Sequence, residues 1–478
     1  MIKAALNFFE KSLDNRLTGF PSPFGWMKCT SPGFSLHGDQ ILILHKPEEF
    51  YETLLAGCNN ANSRIMLASL YIGTGPLEEK LVHTINQRMN SIEDIKVNIL
   101  LDANRGSRGK LNSRKMLLPL VYNNKQCQVS MFHTPSLRGP LKYILPARYN
   151  ELVGLQHIKL YMFDNNVLIS GANLSEDYFT KRQDRYMLVK DCKELADFCW
   201  DLVNKISSVS LGLDHSNRLY PRSYHPYKYS RKTYIKAARD KIWGFYQNYM
   251  KTSFYKLPEN SNHDSWLFPL LELPPLSVHQ DSEVTRKLLE SAEEGSTLTL
   301  STGYFNLTDQ YVDTIIKKSV AQFKILMAHP SANGFLKARG LAGGIPDAYT
   351  GLALQFLSKV KSNEQDGRIK MFEYIRDGWT FHAKGLWYTP PNSNLPCLTL
   401  IGSSNFGSRS VRRDLETQIA LITTNKSLRT RLREEEDNLI KYVDEFTPEI
   451  GTGPDRRPPL WSTILAHNTR NPFDFYTK

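Results

Sequence analysis

Apolar residues are strung along this chain in short, nearly continuous runs, broken by polar turns rich in Gly, Pro, Asn and Ser. Runs of four to eight apolar positions bounded by turn residues fit strands covered on both faces. Arg64 to Ile72, Lys96 to Leu101 and Val129 to Phe132 read this way. The series then returns in the same order as Thr297 to Phe305, Lys324 to Ala328 and Ile369 to Phe372, with Tyr71 and Tyr304 in matching places 233 residues apart. Helical periodicity marks Pro76 to Asn90, Cys192 to Ser208, Glu283 to Glu293, Asp309 to Val320, Gly351 to Lys361 and Leu428 to Glu445. Strands alternating with helices predict layered α/β architecture. The repetition predicts two pseudo-symmetric α/β/α halves.

After its third strand each half carries a His-x-Lys: His157-Ile158-Lys159 and His382-Ala383-Lys384. Gln156 to Phe163 reads as a strand, Asp164-Asn165-Asn166 as a turn and Val167 to Ser170 as its partner strand, a hairpin with His157 at its start. In the second half the turn is longer, Thr389 to Pro396. Each hairpin ends in a small-residue turn, Ser170-Gly-Ala-Asn173 and Gly402-Ser-Ser-Asn405. A carboxylate follows each Asn by 11 residues, Asp184 in one half and Glu416 in the other. A single His-x-Lys carries no information. Two copies, each followed by an Asn and an acid at matched spacing inside a repeated strand series, form a constellation.

The residue types suit cleavage of a phosphodiester or pyrophosphate. Two converging ammonium groups, Lys159 and Lys384, would neutralise the nonbridging oxygens, with Asn173 and Asn405 adding amide donors. One imidazole would attack phosphorus and the other would move the proton of the leaving and entering oxygens. Asp184 and Glu416 are suited to holding the far imidazole nitrogens. No carboxylate cluster suited to magnesium accompanies them. The expectation is therefore no required cofactor and no metal ligand, with a divalent cation left open as a modulator acting through lipid or free nucleotide.

Composition narrows the setting. The 478 residues are 41% hydrophobic and 23% charged, which excludes wholesale disorder. A net charge of +12 favours anionic partners without choosing among them. The six cysteines (Cys29, Cys58, Cys127, Cys192, Cys199, Cys397) are dispersed, which argues against a disulfide framework or a zinc site. No run reaches the ~18 apolar residues of a membrane-spanning helix. The expected division is an N-terminal segment over 1–33, a first half over 34–210, a connection over 211–275, a second half over 276–450 and a tail over 451–478. Residues 1–20 mix Lys3, Lys11 and Arg16 with Glu10 and Asp14, and read either as a partial targeting segment or as an ordinary chain start. The connection is rich in Tyr and base (Tyr220, Tyr224, Tyr227, Tyr229, Arg231, Lys232, Tyr234, Lys236), and reads either as a headgroup-facing surface or as a solvated helix.

His157-x-Lys159-x4-Asp164 with the Gly-Ala-Asn turn resembles the HKD motif of the phospholipase D superfamily, which implies a phospholipase D-like fold whose two halves share one active site. The second copy departs from the pattern, with Thr389 where the motif has Asp. Gly154-Leu-Gln-His157-Ile-Lys159, Thr302-Gly-Tyr-Phe-Asn306, Trp379-Thr-Phe-His382-Ala-Lys-Gly-Leu-Trp387, Leu400-Ile-Gly-Ser-Ser-Asn-Phe406 and Leu101-Asp102 with Arg105-Gly-Ser-Arg108-Gly109 narrow the resemblance to the eukaryotic phosphatidylglycerophosphate synthases, from about Phe34 to Ala420. That resemblance implies transfer of the phosphatidyl group of CDP-diacylglycerol to sn-glycerol 3-phosphate, releasing CMP. It also implies a mitochondrial site, peripheral on the matrix side of the inner membrane, an anionic membrane surface as partner and no nucleic acid. His157 would be the nucleophile and His382 the acid and base, roles that the two rings could exchange. Asp164 would complete the first motif's catalytic set.

Weaker signals are the turn Tyr71-Ile-Gly73-Thr-Gly75, which suits a tight turn or a phosphate contact, and Arg105 with Arg108, suited to gripping the acceptor phosphate. Tyr304 joins them as a candidate substrate contact. The competing readings are a hydrolase or nuclease of the same superfamily that uses water as acceptor, and a lipid-binding protein that has lost catalysis.

Overall fold

The computed structural model describes residues 19–122, 126–139, 150–151, 153–253, 262–335, 345–453 and 456. Most of the expected N-terminal segment and of the tail lie outside these residues. Two large sheets form the frame. The first runs Leu219–Pro221, Leu211–Leu213, Cys127–Phe132, Lys96–Asp102, Arg64–Ala68, Leu160–Phe163, Asn166–Ser170, Tyr186–Val189, Ile41–Leu44. The second runs Val443–Glu445, Ile369–Tyr374, Gln322–Ala328, Thr297–Thr302, Gly385–Thr389, Leu398–Gly402, Glu416–Thr423, Ser265–Leu273, Phe34–Leu36. The two orders correspond from Leu211–Leu213 to Ile41–Leu44 and from Val443–Glu445 to Ser265–Leu273, which leaves the edge strands Leu219–Pro221 and Phe34–Leu36 unmatched. In both, the first repeated strand pairs parallel with the second (Arg64↔Lys96, Thr297↔Gln322) and antiparallel with the strand after the His-x-Lys (Ile65↔Phe163, Thr297↔Thr389).

Alternation along the strands fills two kinds of core. In Ser265–Leu273 all nine residues are buried; Leu267, Leu271 and Leu273 face the core between the sheets, while Trp266, Phe268 and Leu270 face the outer core of the second sheet. Helices Lys193–Ser208, Arg231–Thr252 and Lys426–Ile440 pack in the central core. Pro47–Asn60, Pro76–Ser91 and Ser113–Tyr122 cover the first sheet, and Gln280–Glu290 and Ile345–Ser362 the second.

The structure departs from expectation at several points. Strand Ser265–Leu273, expected in the connection, belongs to the second sheet, and Phe34–Leu36 crosses from the first half to pair with it. The connection is not uniformly a surface. Tyr234, Ala238, Ile242 and Tyr246 recur every fourth residue on Arg231–Thr252 and are buried as one stripe. Tyr246 donates to Pro269 O at 2.7 Å, and Tyr234 to Val209 O at 2.8 Å. Arg231, Lys232 and Tyr229 stay exposed. Helices Pro47–Asn60 and Ser113–Tyr122 were not expected. Asp309–Asp313 passes into a π-helical turn, Thr314–Lys318, instead of one continuous helix.

One buried ion pair locks the halves. Arg185, 1% exposed, donates through Nε and Nη2 to Glu435 at 2.9 and 2.8 Å, to Leu400 O at 2.8 Å and to Thr399 Oγ1 at 2.7 Å. Its guanidinium lies 3.6 Å from the Trp387 ring centroid. Removing one partner of a satisfied buried pair strands the other charge. Arg185→Met is therefore expected to cost about 3–5 kcal/mol of unfolding free energy, read from denaturant midpoints. A loss under about 1 kcal/mol would show that this pair does not hold the halves together.

Candidate active site

The strand expected over Gln156 to Phe163 begins only at Leu160. Residues 155–159 leave the first sheet and run beside the other half: His157 N donates to Leu415 O at 2.8 Å and Leu415 N to Leu155 O at 2.7 Å. Gly154 permits this approach, since a Cβ there would sit 2.6 Å from Arg413 O, and its φ is +147°. The counterpart crossing pairs Thr380–Phe381 with Arg182–Gln183, and His382 N donates to Gln183 O at 2.8 Å. Each His-x-Lys is thus carried to the acid of the opposite half.

The acids follow suit. His157 Nδ1 lies 2.9 Å from Glu416 Oε2, and His382 Nδ1 lies 2.6 Å from Asp184 Oδ2. Ser410 donates to the other oxygen of Glu416 at 2.7 Å. Lys159 Nζ donates to His157 O at 2.8 Å and Lys384 Nζ to His382 O at 3.0 Å. Lys384 Nζ also lies 2.7 Å from His382 Nδ1 and 3.8 Å from Asp184. A Cβ on Gly171 would sit 2.6 Å from Asp184 Oδ1 and 3.0 Å from Lys384 Nζ, so only glycine leaves room there. Asn173 and Asn405 end their turns beside this group, each with its amide oxygen buried and without a hydrogen-bond partner among the described residues.

Burial dominates the electrostatics. It pushes Asp184 up to about 6 and Glu416 up to about 7, against the pull of both lysines. Burial also brings Lys159 down to about 7 and lowers Lys384. Both imidazoles are held well below their ordinary value, by burial first and then by the charges of Lys159 on His157 and Lys384 on His382. Lys384 also acts on His157, and Lys159 and His157 on His382, so the four groups share one field.

The histidines differ in access. The His157 side chain is 13% exposed, and no described protein group bonds its Nε2. His382 is 4% exposed, and its Nε2 lies 3.2 Å from Tyr178 OH. Tyr304 meets the His382 ring edge-on at 5.6 Å. Tyr71 donates to or accepts from Ser175 Oγ at 3.0 Å, and Arg105 covers its ring at 3.9 Å.

Some expected site residues are elsewhere. Asp164, grouped with the catalytic set, sits in the hairpin turn at the far end of Leu160–Phe163 from His157, with φ at +54°. Its carboxylate accepts from Asn62 N, Ser63 N and Arg64 N at 2.8, 2.8 and 3.0 Å, so it holds a turn and takes no place beside the imidazoles. Thr389, at the corresponding position in the second half, instead takes a hydrogen bond from Arg433 at 3.3 Å. Gly73 and Gly75 close on Glu78, whose Oε2 takes Gly75 N at 3.1 Å, which makes this a structural turn and not a phosphate cradle. Arg108 is not among these: at 2.7 Å it pairs with Glu151, whose carbonyl oxygen takes Arg409 of the other half. Sequence reasoning missed Tyr178, Ser410, Arg182, Arg409 and Asp414. Extending the alignment of the halves would have found them: Tyr178 and Ser410 both lie five residues after the Asn, and Arg182 and Asp414 both two before the acid.

Among the described residues no group of three or more His, Cys, Asp or Glu is placed to hold a metal ion, and no helix is long and apolar enough to cross a membrane. No family model matches the chain. A solved structure, phosphatidylserine synthase from Haemophilus influenzae, superposes with a TM-score of 0.69 over 92% of this chain and 94% of its own, at 18% identity, and so shares the fold. Curated relatives from Mus musculus and Homo sapiens, each 42% identical over 94% of this chain and 86% of their own, are named mitochondrial CDP-diacylglycerol–glycerol-3-phosphate 3-phosphatidyltransferase. With both His-x-Lys pairs and both acids gathered in one place and this identity across nearly its whole length, the chain belongs to the family of CDP-diacylglycerol–glycerol-3-phosphate 3-phosphatidyltransferases.

Proposed function

We propose that the protein transfers the phosphatidyl group of CDP-diacylglycerol to sn-glycerol 3-phosphate in two displacements at one phosphorus, giving phosphatidylglycerophosphate and CMP. The observation that carries this reading is the pair of imidazoles, each held at Nδ1 by the acid of the other half. An acceptor at Nδ1 fixes the tautomer that leaves Nε2 with a lone pair. His157 Nε2, unengaged by the protein, attacks the lipid-side phosphorus; the N–P bond forms as the P–O bond to CMP breaks. The charge of the bound diphosphate favours the imidazolium form of His382, paired at Nδ1 with Asp184, and from that form its Nε2 proton passes to CMP. His382 then takes the proton of the acceptor hydroxyl, whose oxygen displaces His157 and restores the resting enzyme. Lys159 and Lys384 neutralise the nonbridging oxygens, and Asn173 and Asn405 add donors once their amides turn to them.

Water as acceptor is the less favoured reading, since the relatives are named transferases. The relatives' names also place them in mitochondria. For this chain the finer site is the matrix face of the inner membrane, held peripherally by attraction of a +12 protein to anionic lipid. Phosphatidylglycerol and cardiolipin synthesis would draw on its product.

With labelled CDP-diacylglycerol in mixed micelles and excess chelator, continued CMP release is expected to need glycerol 3-phosphate, with phosphatidylglycerophosphate formed in equal amount. Without acceptor, CMP should stop at one equivalent. Sustained release into water would make the protein a hydrolase. A loss under chelation that magnesium restores would contradict the metal-free scheme.

A further inference from the structure

Three arginines gather beside His157 without a role in the chemistry above. Asp102, fully buried at the end of strand Lys96–Asp102, accepts from Asn104 N, Arg105 N and Gln156 N at 2.9, 2.8 and 3.0 Å. It thereby ties the Arg105–Arg108 turn to the residue before His157. Arg108 reaches Glu151 at 2.7 Å. From the other half, Arg409 donates to Glu151 O at 3.2 Å and pairs with Asp414 at 3.2 Å. Asp414 in turn accepts Leu155 N at 3.0 Å, two residues before His157. The charges of Arg105, Arg108 and Arg409 all act on Glu151, and that of Arg409 on His157. Of the three carboxylates here, Asp102 is taken up by backbone N–H groups, which leaves Glu151 and Asp414 to the three guanidinium groups. Arg409 Nε, Asn104 Nδ2 and Ser107 Oγ are buried without hydrogen-bond partners among the described residues.

The fold does not impose this arrangement. Four residues after its Asn, the first half has Asp177 where the second has Arg409, and two before its acid it has Arg182 where the second has Asp414. Arg182 and Asp177 pair at 3.1 Å, so the same ion pair is built with its charges exchanged. An excess of guanidinium with spare buried polar atoms on one side only points to an anionic ligand there. Each phosphate of the lipid nucleotide is a diester-type group with a single charge. The acceptor phosphate is a monoester carrying close to two at neutral pH.

We propose that Arg105, Arg108 and Arg409 form the subsite for the acceptor's phosphomonoester, with the Glu151 carboxylate holding Arg108 in place until the phosphate arrives. This rests on the phosphatidyl-transfer reading and assigns a subsite within it. The subsite draws on both halves, so acceptor binding depends on their docking. It also separates glycerol 3-phosphate from glycerol, which offers the same hydroxyls without the charge.

The test uses the full chain, CDP-diacylglycerol in mixed micelles, and glycerol 3-phosphate or glycerol as acceptor. Arg108→Gln and Arg409→Gln are each expected to raise KM for glycerol 3-phosphate about 10- to 100-fold, the effect of losing a charge-assisted hydrogen bond. In Arg108→Gln, single-turnover CMP release without acceptor should change by less than about threefold, and in both variants the preference for glycerol 3-phosphate over glycerol should fall with the KM effect. An unchanged KM, or in Arg108→Gln a CMP burst lost in step with acceptor turnover, overturns the subsite. Should Arg409→Gln not fold, Arg108→Gln carries the same readout from a part-exposed turn, and Arg409→Lys keeps the charge beside Asp414. A wild-type protein that never uses glycerol 3-phosphate sinks the transfer reading itself. A wild type that transfers, with variants that bind the acceptor normally, sinks only the subsite.

Discussion

His157→Ala is expected to lower phosphatidyl transfer at least about 10⁴-fold and to abolish the CMP burst, whereas His382→Asn should release one equivalent of CMP and then stall. The difference follows from the two leaving groups. CMP departs as a phosphate monoester whose second pKa is about 6, so it leaves without much help from an acid. The acceptor is an alcohol, which cannot attack at neutral pH unless a base takes its proton. Loss of His382 therefore falls on the second displacement, and the phosphatidyl group should accumulate on His157. The exposure of His157 and the unengaged Nε2 favour it as nucleophile, while Tyr178 occupies the same atom of His382. Rapid quenching for CMP, with mass spectrometry for a phosphatidyl adduct on the protein, reads both variants. A burst from His157→Ala and none from His382→Asn would exchange the roles. Sustained turnover in either would remove the covalent mechanism.

How much of this could be read from the chain depends on whether the signal is local. The repeated strands were legible because strands buried on both faces carry near-continuous apolar runs, as Ile65 to Ala68 and Ile99 to Leu101 do. The His-x-Lys pairs, the two Asn turns and the two acids were legible as a repeated spacing. The crossing of the halves was not. Asp184 lies 27 residues after His157 and 198 before His382, and nothing in that spacing says that it serves the distant ring. The crossing depends on residues 155–159 abandoning the sheet, against a local pattern that reads as strand. Asp164 misled because a motif groups residues by sequence, while a hairpin separates its start from its turn. Helix Pro47–Asn60 was readable in principle, with Pro at its start, Glu48 and Glu49 in its first turn, and Phe50, Leu54 and Cys58 on one face. In Arg231–Thr252 the tyrosines and lysines drew attention to charge, although the four-residue spacing of Tyr234, Ala238, Ile242 and Tyr246 marks a buried stripe.

That crossing yields the second large effect. Glu416→Gln should behave like a His157 variant and Asp184→Asn like a His382 variant, each lowering turnover about 10²- to 10⁴-fold. A carboxylate at Nδ1 keeps the ring proton there and leaves Nε2 basic. An amide can present its NH₂ instead, which moves the proton to Nε2. For His157 that blocks attack, so Glu416→Gln should lose the CMP burst. For His382 a proton fixed on Nε2 leaves a neutral ring that can neither act as an acid nor take the acceptor's proton, but CMP departs without much help from an acid. Asp184→Asn should therefore keep the burst and fail at the second displacement. Glu416 and His157 come from opposite halves, as do Asp184 and His382, so the pairing of phenotypes tests the crossing directly. If Asp184→Asn instead lost the burst together with His157→Ala, while Glu416→Gln kept it, each acid would serve the histidine of its own half. The two halves would then be separate folds lying side by side, and one phosphorus could not be served by both.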